Sequence, residues 1–79
     1  MLNEINIVVS ELMKAGIEDV IAVEVVEDTD FGFIRIRISL SDGYRLESFC
    51  DIRMKENFMY IVMDGINKIL NHYKEGGEE

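Results

Sequence analysis

Apolar residues set the first rhythm of the chain. Ile5, Val8, Val9 and Leu12 recur at the three-to-four spacing of a helix, and Asn3 is placed to cap its start. Gly16 stands where the left-handed residue that ends a helix belongs, so that Ile17 can fold back onto Leu12. From Val20 to Glu27 the period shortens to two, with Ile21, Val23 and Val25 on one side and Ala22, Glu24 and Val26 on the other. Beyond the loop Asp28-Thr29-Asp30, Ile34, Ile36, Ile38 and Leu40 alternate with Phe31, Phe33, Arg35 and Arg37. A third run sets Tyr44, Leu46, Cys50 and Ile52 against Arg45, Glu47, Phe49 and Asp51. The helical period then returns from about Met54 to Tyr73, closed by Gly76-Gly77. Its central stripe is Phe58, Val62, Ile66, Ile69 and Tyr73, flanked by Ile61 on one side and by Met59, Met63 and Leu70 on the other.

These periods predict an α+β domain of helix, three-stranded antiparallel sheet and helix (αβββα). Both helices should lie on one face of the sheet, because the isoleucine face needs a cover and the arginine face does not. The connection Leu40-Ser41-Asp42-Gly43-Tyr44 decides the second register. A two-residue turn at Asp42-Gly43 would set Ile38 against Glu47 and mix core with solvent positions. A three-residue loop with Gly43 left-handed sets Ile38 against Leu46, Arg37 against Glu47, Arg35 against Phe49 and Phe33 against Asp51. The second register is the expected one, and Glu24 on the first strand should reach Arg35 or Arg37 in either likely register of the first hairpin.

Length and composition bound this picture without changing it. Seventy-nine residues, nearly half of them apolar, form one globular domain (1–79) with a thin core, and the acidic residues 75–79 are expected to trail as a flexible tail. The longest apolar run, Phe58 to Met63, is too short to cross a bilayer, and no basic segment precedes an apolar one as in a secretory signal. A single cysteine, Cys50, fits a reducing cytoplasm.

Charge changes the picture more. The net charge is −8, and residues 1–30 hold eight acids against Lys14 alone. Glu4, Glu11, Glu18, Asp19, Glu27, Asp28 and Asp30 are expected to form one continuous negative patch along the first helix and the tip of the first hairpin. Such a field repels polyphosphate and attracts basic surfaces.

Phe31-Gly32-Phe33-Ile34 resembles the aromatic strand motif of RNA-recognition domains, which would make Phe31 and Phe33 a nucleic-acid platform. The likeness stops at those four residues. Thr29 and Asp30 stand where that motif has a basic residue and a glycine, Ile36 replaces the closing aromatic, and Glu24, Glu47 and Asp51 offset the arginines. The element order is also that of double-stranded-RNA-binding domains, but Arg53-Met54-Lys55-Glu56-Asn57 is too sparse in lysine to grip phosphates. Direct nucleic-acid binding is therefore the weakest reading. The face offers Phe33, Arg35 and Phe49 within a ring of charges, a combination that serves as a protein-binding anchor or packs on itself to stabilise the sheet.

Little chemistry is visible. His72 sits alone near a helix end as a solvated residue, Cys50 is an inward-facing and inert thiol, and the acidic loop lacks the spacing of a calcium site. No catalytic set, metal or cofactor is expected. Met59, Tyr60 and Met63 give the last helix an adaptable apolar margin that would suit a homodimer. Lys74-Glu75-Gly76-Gly77-Glu78 can be encoded by codons that spell a ribosome-binding site, as in a closely packed operon. The sequence thus predicts a cytoplasmic, non-enzymatic interaction protein that binds a basic, nucleic-acid-handling partner. A phage-encoded inhibitor of the anti-CRISPR or anti-restriction type is the narrower expectation. A structural or regulatory homodimer, acidic only for solubility, is the alternative.

Overall fold

The computed structural model describes residues 2–76. Helix α1 (Leu2–Lys14) is followed by β1 (Val20–Asp28), β2 (Phe33–Leu40) and β3 (Arg45–Asp51), a 3-10 segment (Ile52–Asn57) and helix α2 (Phe58–Gly76). The strands form one antiparallel sheet in the order β1-β2-β3. This is the expected αβββα layout.

Backbone chemistry fixes the joints. At the end of α1, Gly16 adopts φ +77°, Gly16 N–H donates to Met13 C=O and Ile17 N–H donates to Leu12 C=O. That pair of bonds satisfies the last carbonyls of the helix and carries Ile17 into the core, where it is buried. The second hairpin turns on Gly43 at φ +96°, with Leu40 N–H donating to Tyr44 C=O and Gly43 N–H to Leu40 C=O. The three-residue loop follows, and Ile38 faces Leu46, Arg37 faces Glu47, Arg35 faces Phe49 and Phe33 faces Asp51. The start of α1 differs from expectation. The helix already includes position 3, and the side chain of Asn3, the expected cap, lies outside what is described.

The core gathers Val8, Leu12 and Ile17 from α1 and the loop after it, Val25, Ile34, Ile36, Ile38, Leu40 and Leu46 from the sheet, and Phe58, Ile61, Val62, Ile66 and Ile69 from α2. Both helices therefore cover the isoleucine face. Gly65 lies where α2 comes closest to the sheet. A Cβ there would stand 3.2 Å from Leu46 Cδ1, 3.5 Å from Ile36 Cδ1 and 3.6 Å from Ile38 Cδ1.

Three elements depart from the expected pattern, each for a local reason. A β-bulge between Val20 and Ala22 breaks the parity of β1, so Ile21 is 69% exposed instead of inward-facing while Val20 packs on the core. The last helix does not begin near Met54. Residues 52–57 form a 3-10 turn kinked at Met54 (φ −117°, ψ 52°), and α2 starts at Phe58. Two residues of the expected tail, Glu75 and Gly76, belong to α2, while residues 77–79 lie outside the described residues.

Candidate functional site

The open face of the sheet ends in an aromatic cluster built on β2, β3 and the loop between β1 and β2. Alternation on β2 turns Phe33 away from the isoleucine face, and β3 brings Phe49 diagonally beside it. The two rings meet edge to face, with centroids 5.4 Å apart and planes at 88°. Phe31 lies nearly parallel to Phe33 at 6.5 Å, and it is 81% exposed. Phe33 is half-buried and Phe49 is exposed.

The loop that carries Phe31 is fixed rather than loose. Asp28 Oδ1 accepts the Phe31 N–H at 3.0 Å, and Asp28 C=O accepts the Gly32 N–H at 2.7 Å. Gly32 takes φ +78°, a conformation that a side chain would strain. Its C=O accepts the Ile52 N–H at 2.9 Å, which ties the loop to the end of β3. A large apolar ring thus stands in solvent on a hydrogen-bonded loop.

The arginines of this face are spent on the sheet. Arg37 Nη2 lies 2.8 Å from Glu47 Oε2, and its Nη1 lies 3.5 Å from Glu24. Arg35 reaches Glu47 at 3.8 Å instead of stacking across the phenylalanines. At the margin Arg53 forks onto Asp51 at 2.9 Å and holds that carboxyl at about 2. These pairs draw on Glu24, Glu47 and Asp51, and none of the seven carboxylates singled out above belongs to them.

Of those seven, six lie toward one end of β1 or the other. Glu11, Glu18 and Asp19 gather where α1 hands over to β1, whereas Glu27, Asp28 and Asp30 stand at the opposite end of β1. Nine residues of strand put about 25 Å between the two groups. Their roles differ as well. Asp19 accepts a hydrogen bond from the Tyr73 hydroxyl and Asp28 holds the loop, so both stabilise the fold. Glu11 lies 3.4 Å from Lys14. Glu27 pairs opposite Ile34 and therefore shares the helix side of the sheet, while Glu4 is half-buried on α1. Glu18 and Asp30 are exposed, and Asp30 adjoins Phe31.

The far end of the molecule closes on side chains. His72 Nε2 lies 2.8 Å from Asp42, and the imidazole stacks on Tyr44 at 3.9 Å with planes 7° apart. The His72 hydrogen bond holds the Asp42 carboxyl below the usual carboxylate range. His72 is thus a clasp between α2 and the β2–β3 loop, not the solvated residue its position in the sequence suggests. Burial, with Asp51 and Glu56 nearby, pushes the Cys50 thiol up and away from the reactive thiolate.

On α2, Met59, Met63 and Leu70 fall within about 40° of one another around the helix axis and are 40–43% exposed. Tyr60 is exposed apart from this stripe. Among the described residues no group of three histidine, cysteine or acidic side chains could hold a metal ion, and no helix is long and apolar enough to cross a membrane. Comparison of the chain with protein-family models, with curated proteins and with solved structures found no match.

Proposed function

We propose that this protein works by contact, docking the Phe31 end of its sheet onto a basic surface of another protein. The observation that supports this most is Phe31 itself, an exposed ring on a loop held by two backbone–backbone hydrogen bonds and one from the Phe31 N–H to the Asp28 side chain. A partner that covers the ring gains apolar burial without ordering the loop first, which is the economy of a preformed anchor. Asp30 beside it, and the net charge of −8, favour a cationic surface and fast, salt-sensitive association. Nucleic-acid-handling proteins present such surfaces. In the narrower form of the proposal, the protein is a phage-encoded inhibitor that occupies one of them.

Affinity capture from cell lysate at low and high salt, with native and variant baits, tests the proposal. Phe31→Ala should leave stability within about 0.5 kcal/mol of native, since the ring is mostly in solvent. It should also lower capture of the salt-sensitive partner at least tenfold, and Asp30→Lys should do the same. Equal capture by all three baits would refute the proposal.

The half-exposed stripe of Met59, Met63 and Leu70 supports a second reading, a homodimer through α2. Sedimentation that shows a dimer in the native protein and a monomer in Met63→Glu would establish it.

A further inference from the structure

The two edges of the sheet are treated differently. The antiparallel alternation can be read from one bond, since Leu40 N–H donates to Tyr44 C=O. Even-numbered residues of β2 therefore aim their main-chain groups at β3, and odd-numbered ones aim at β1. On β3 this leaves Glu47 and Phe49 with main-chain groups pointing off the sheet. Lys68 from α2 covers that edge by donating to Glu47 C=O at 3.2 Å. Beside it, Ser48 Oγ donates to Asp64, which Lys68 holds at 3.1 Å.

On β1 the residues opposite even-numbered β2 positions include Val23 (with Ile38) and Val25 (with Ile36). Their N–H and C=O groups point off the sheet, and among the described residues no other element bonds to them. Helix α1 does not cover this edge. Between the helix and β1 runs an open groove of about 360 Å³, lined by Val9, Leu12, Met13, Ile17, Ile21 and Glu18 among others. Met13 and Ile21 are about 70% exposed at its mouth.

We infer that the β1 edge accepts an extended segment of another protein as a fourth strand, with apolar and basic residues alternating along it. The pattern follows from the geometry. An antiparallel strand that bonds to Val23 and Val25 aims the side chains of its bonded residues to the same side as those valines, into the groove beside α1. Its intervening residues fall on the open face beside Glu24, whose side chain is half exposed. Charge selects the occupant. Between Lys14 and Arg35 the chain holds Glu18, Asp19, Glu24, Glu27, Asp28 and Asp30 and no basic residue. A second copy of β1 would bring a like-charged strand against this edge, whereas a lysine- or arginine-bearing strand is drawn to it.

The capped hexapeptide Lys-Val-Lys-Val-Lys-Val, titrated into the whole protein and followed by amide NMR, tests this inference. Binding should slow exchange of the Val23 and Val25 amides at least tenfold. Methylating the peptide nitrogens of its valines, which face β1, should abolish binding, and methylating those of its lysines, which face away, should not. The corresponding glutamate peptide should bind at least tenfold more weakly. Val23→Pro removes a donor that β2 does not use and should cost at least tenfold in affinity. If that variant unfolds, Ile21→Lys at the groove mouth carries the same expectation. Phe31→Ala should leave this binding unchanged, which separates it from docking at the hairpin end. The inference fails if the peptide protects neither amide or if both methylated peptides bind alike. It also fails if the two amides are protected in a concentration-dependent way by the protein alone, because a second copy then covers the edge.

Discussion

Tyr73 shows how one hydrogen bond turns into a pH limit. Desolvation, and then the bond to Asp19, pushes its phenol up to about 12, whereas an unfolded tyrosine titrates near 10. Below pH ~10 both states keep the proton and the contribution to stability is complete. Between about 10 and 12 the unfolded chain ionises first, so stability falls as pH rises and the contribution is gone near 12. Tyr73→Phe should cost about 1 kcal/mol near neutral pH by orphaning Asp19, and should flatten the alkaline fall. Thermal unfolding across pH 9–12 measures both effects. Absorbance titration of the native protein should show one of its three tyrosines ionising late. None of this was visible in the sequence, because Asp19 and Tyr73 lie 54 positions apart and only the packed fold joins them. Ser48 was hidden for the same reason, since its hydroxyl is tolerated inside only because Asp64 accepts from it.

At the scale of elements, local backbone rules were legible and parity was legible until something interrupted it. Gly16 and Gly43 perform turns that other residues perform at a cost, so their spacing announced a helix end and a loop length. Loop length and the alternation of β2 together fixed the register of the second hairpin, whereas that of the first stayed open. A bulge leaves no such mark, because Val20, Ile21 and Ala22 read alike whichever of them is the extra residue. The aromatic cluster was readable from parity, but the rigidity of its loop was not, since the Gly32–Ile52 bond joins two connections. Gly65 concealed its role by being mid-helix, where glycine is ordinarily a weakness. Replacing it by alanine offsets a gain in helix propensity of about 1 kcal/mol against the 3.2 Å approach to Leu46, and should leave stability within about 1 kcal/mol of native. Gly65→Leu has no room and should cost about 2–3 kcal/mol. Urea unfolding of both variants, with an unchanged denaturant slope, distinguishes helix displacement from a change in the unfolded chain.

For the molecule as a whole, charge was legible in amount and not in arrangement. The excess of acids in residues 1–30 is plain in the sequence, whereas which of them stand at which end of β1 comes from the fold. Self-repulsion within each end opposes folding, while the arginine pairs on the sheet are partly exposed and each contributes little. Added sodium chloride should therefore stabilise the protein, raising the thermal midpoint by a few degrees between 0.02 and 0.5 M, roughly 1 kcal/mol or less. A midpoint that falls with salt would mean that the cross-strand pairs outweigh the repulsion.

Helix α2, one of two covers over the isoleucine face, is made after every strand that it covers. While residues 58–76 are still being added, β1, β2 and β3 have left the peptidyl-transferase centre with Ile36, Ile38 and Leu46 bare on one side. Helix α1 alone supplies only Val8, Leu12 and Ile17 to that core, so much of the face lacks its cover until α2 arrives. Until α2 docks, the open β1 edge and the bare part of the isoleucine face are together what a holding chaperone would meet.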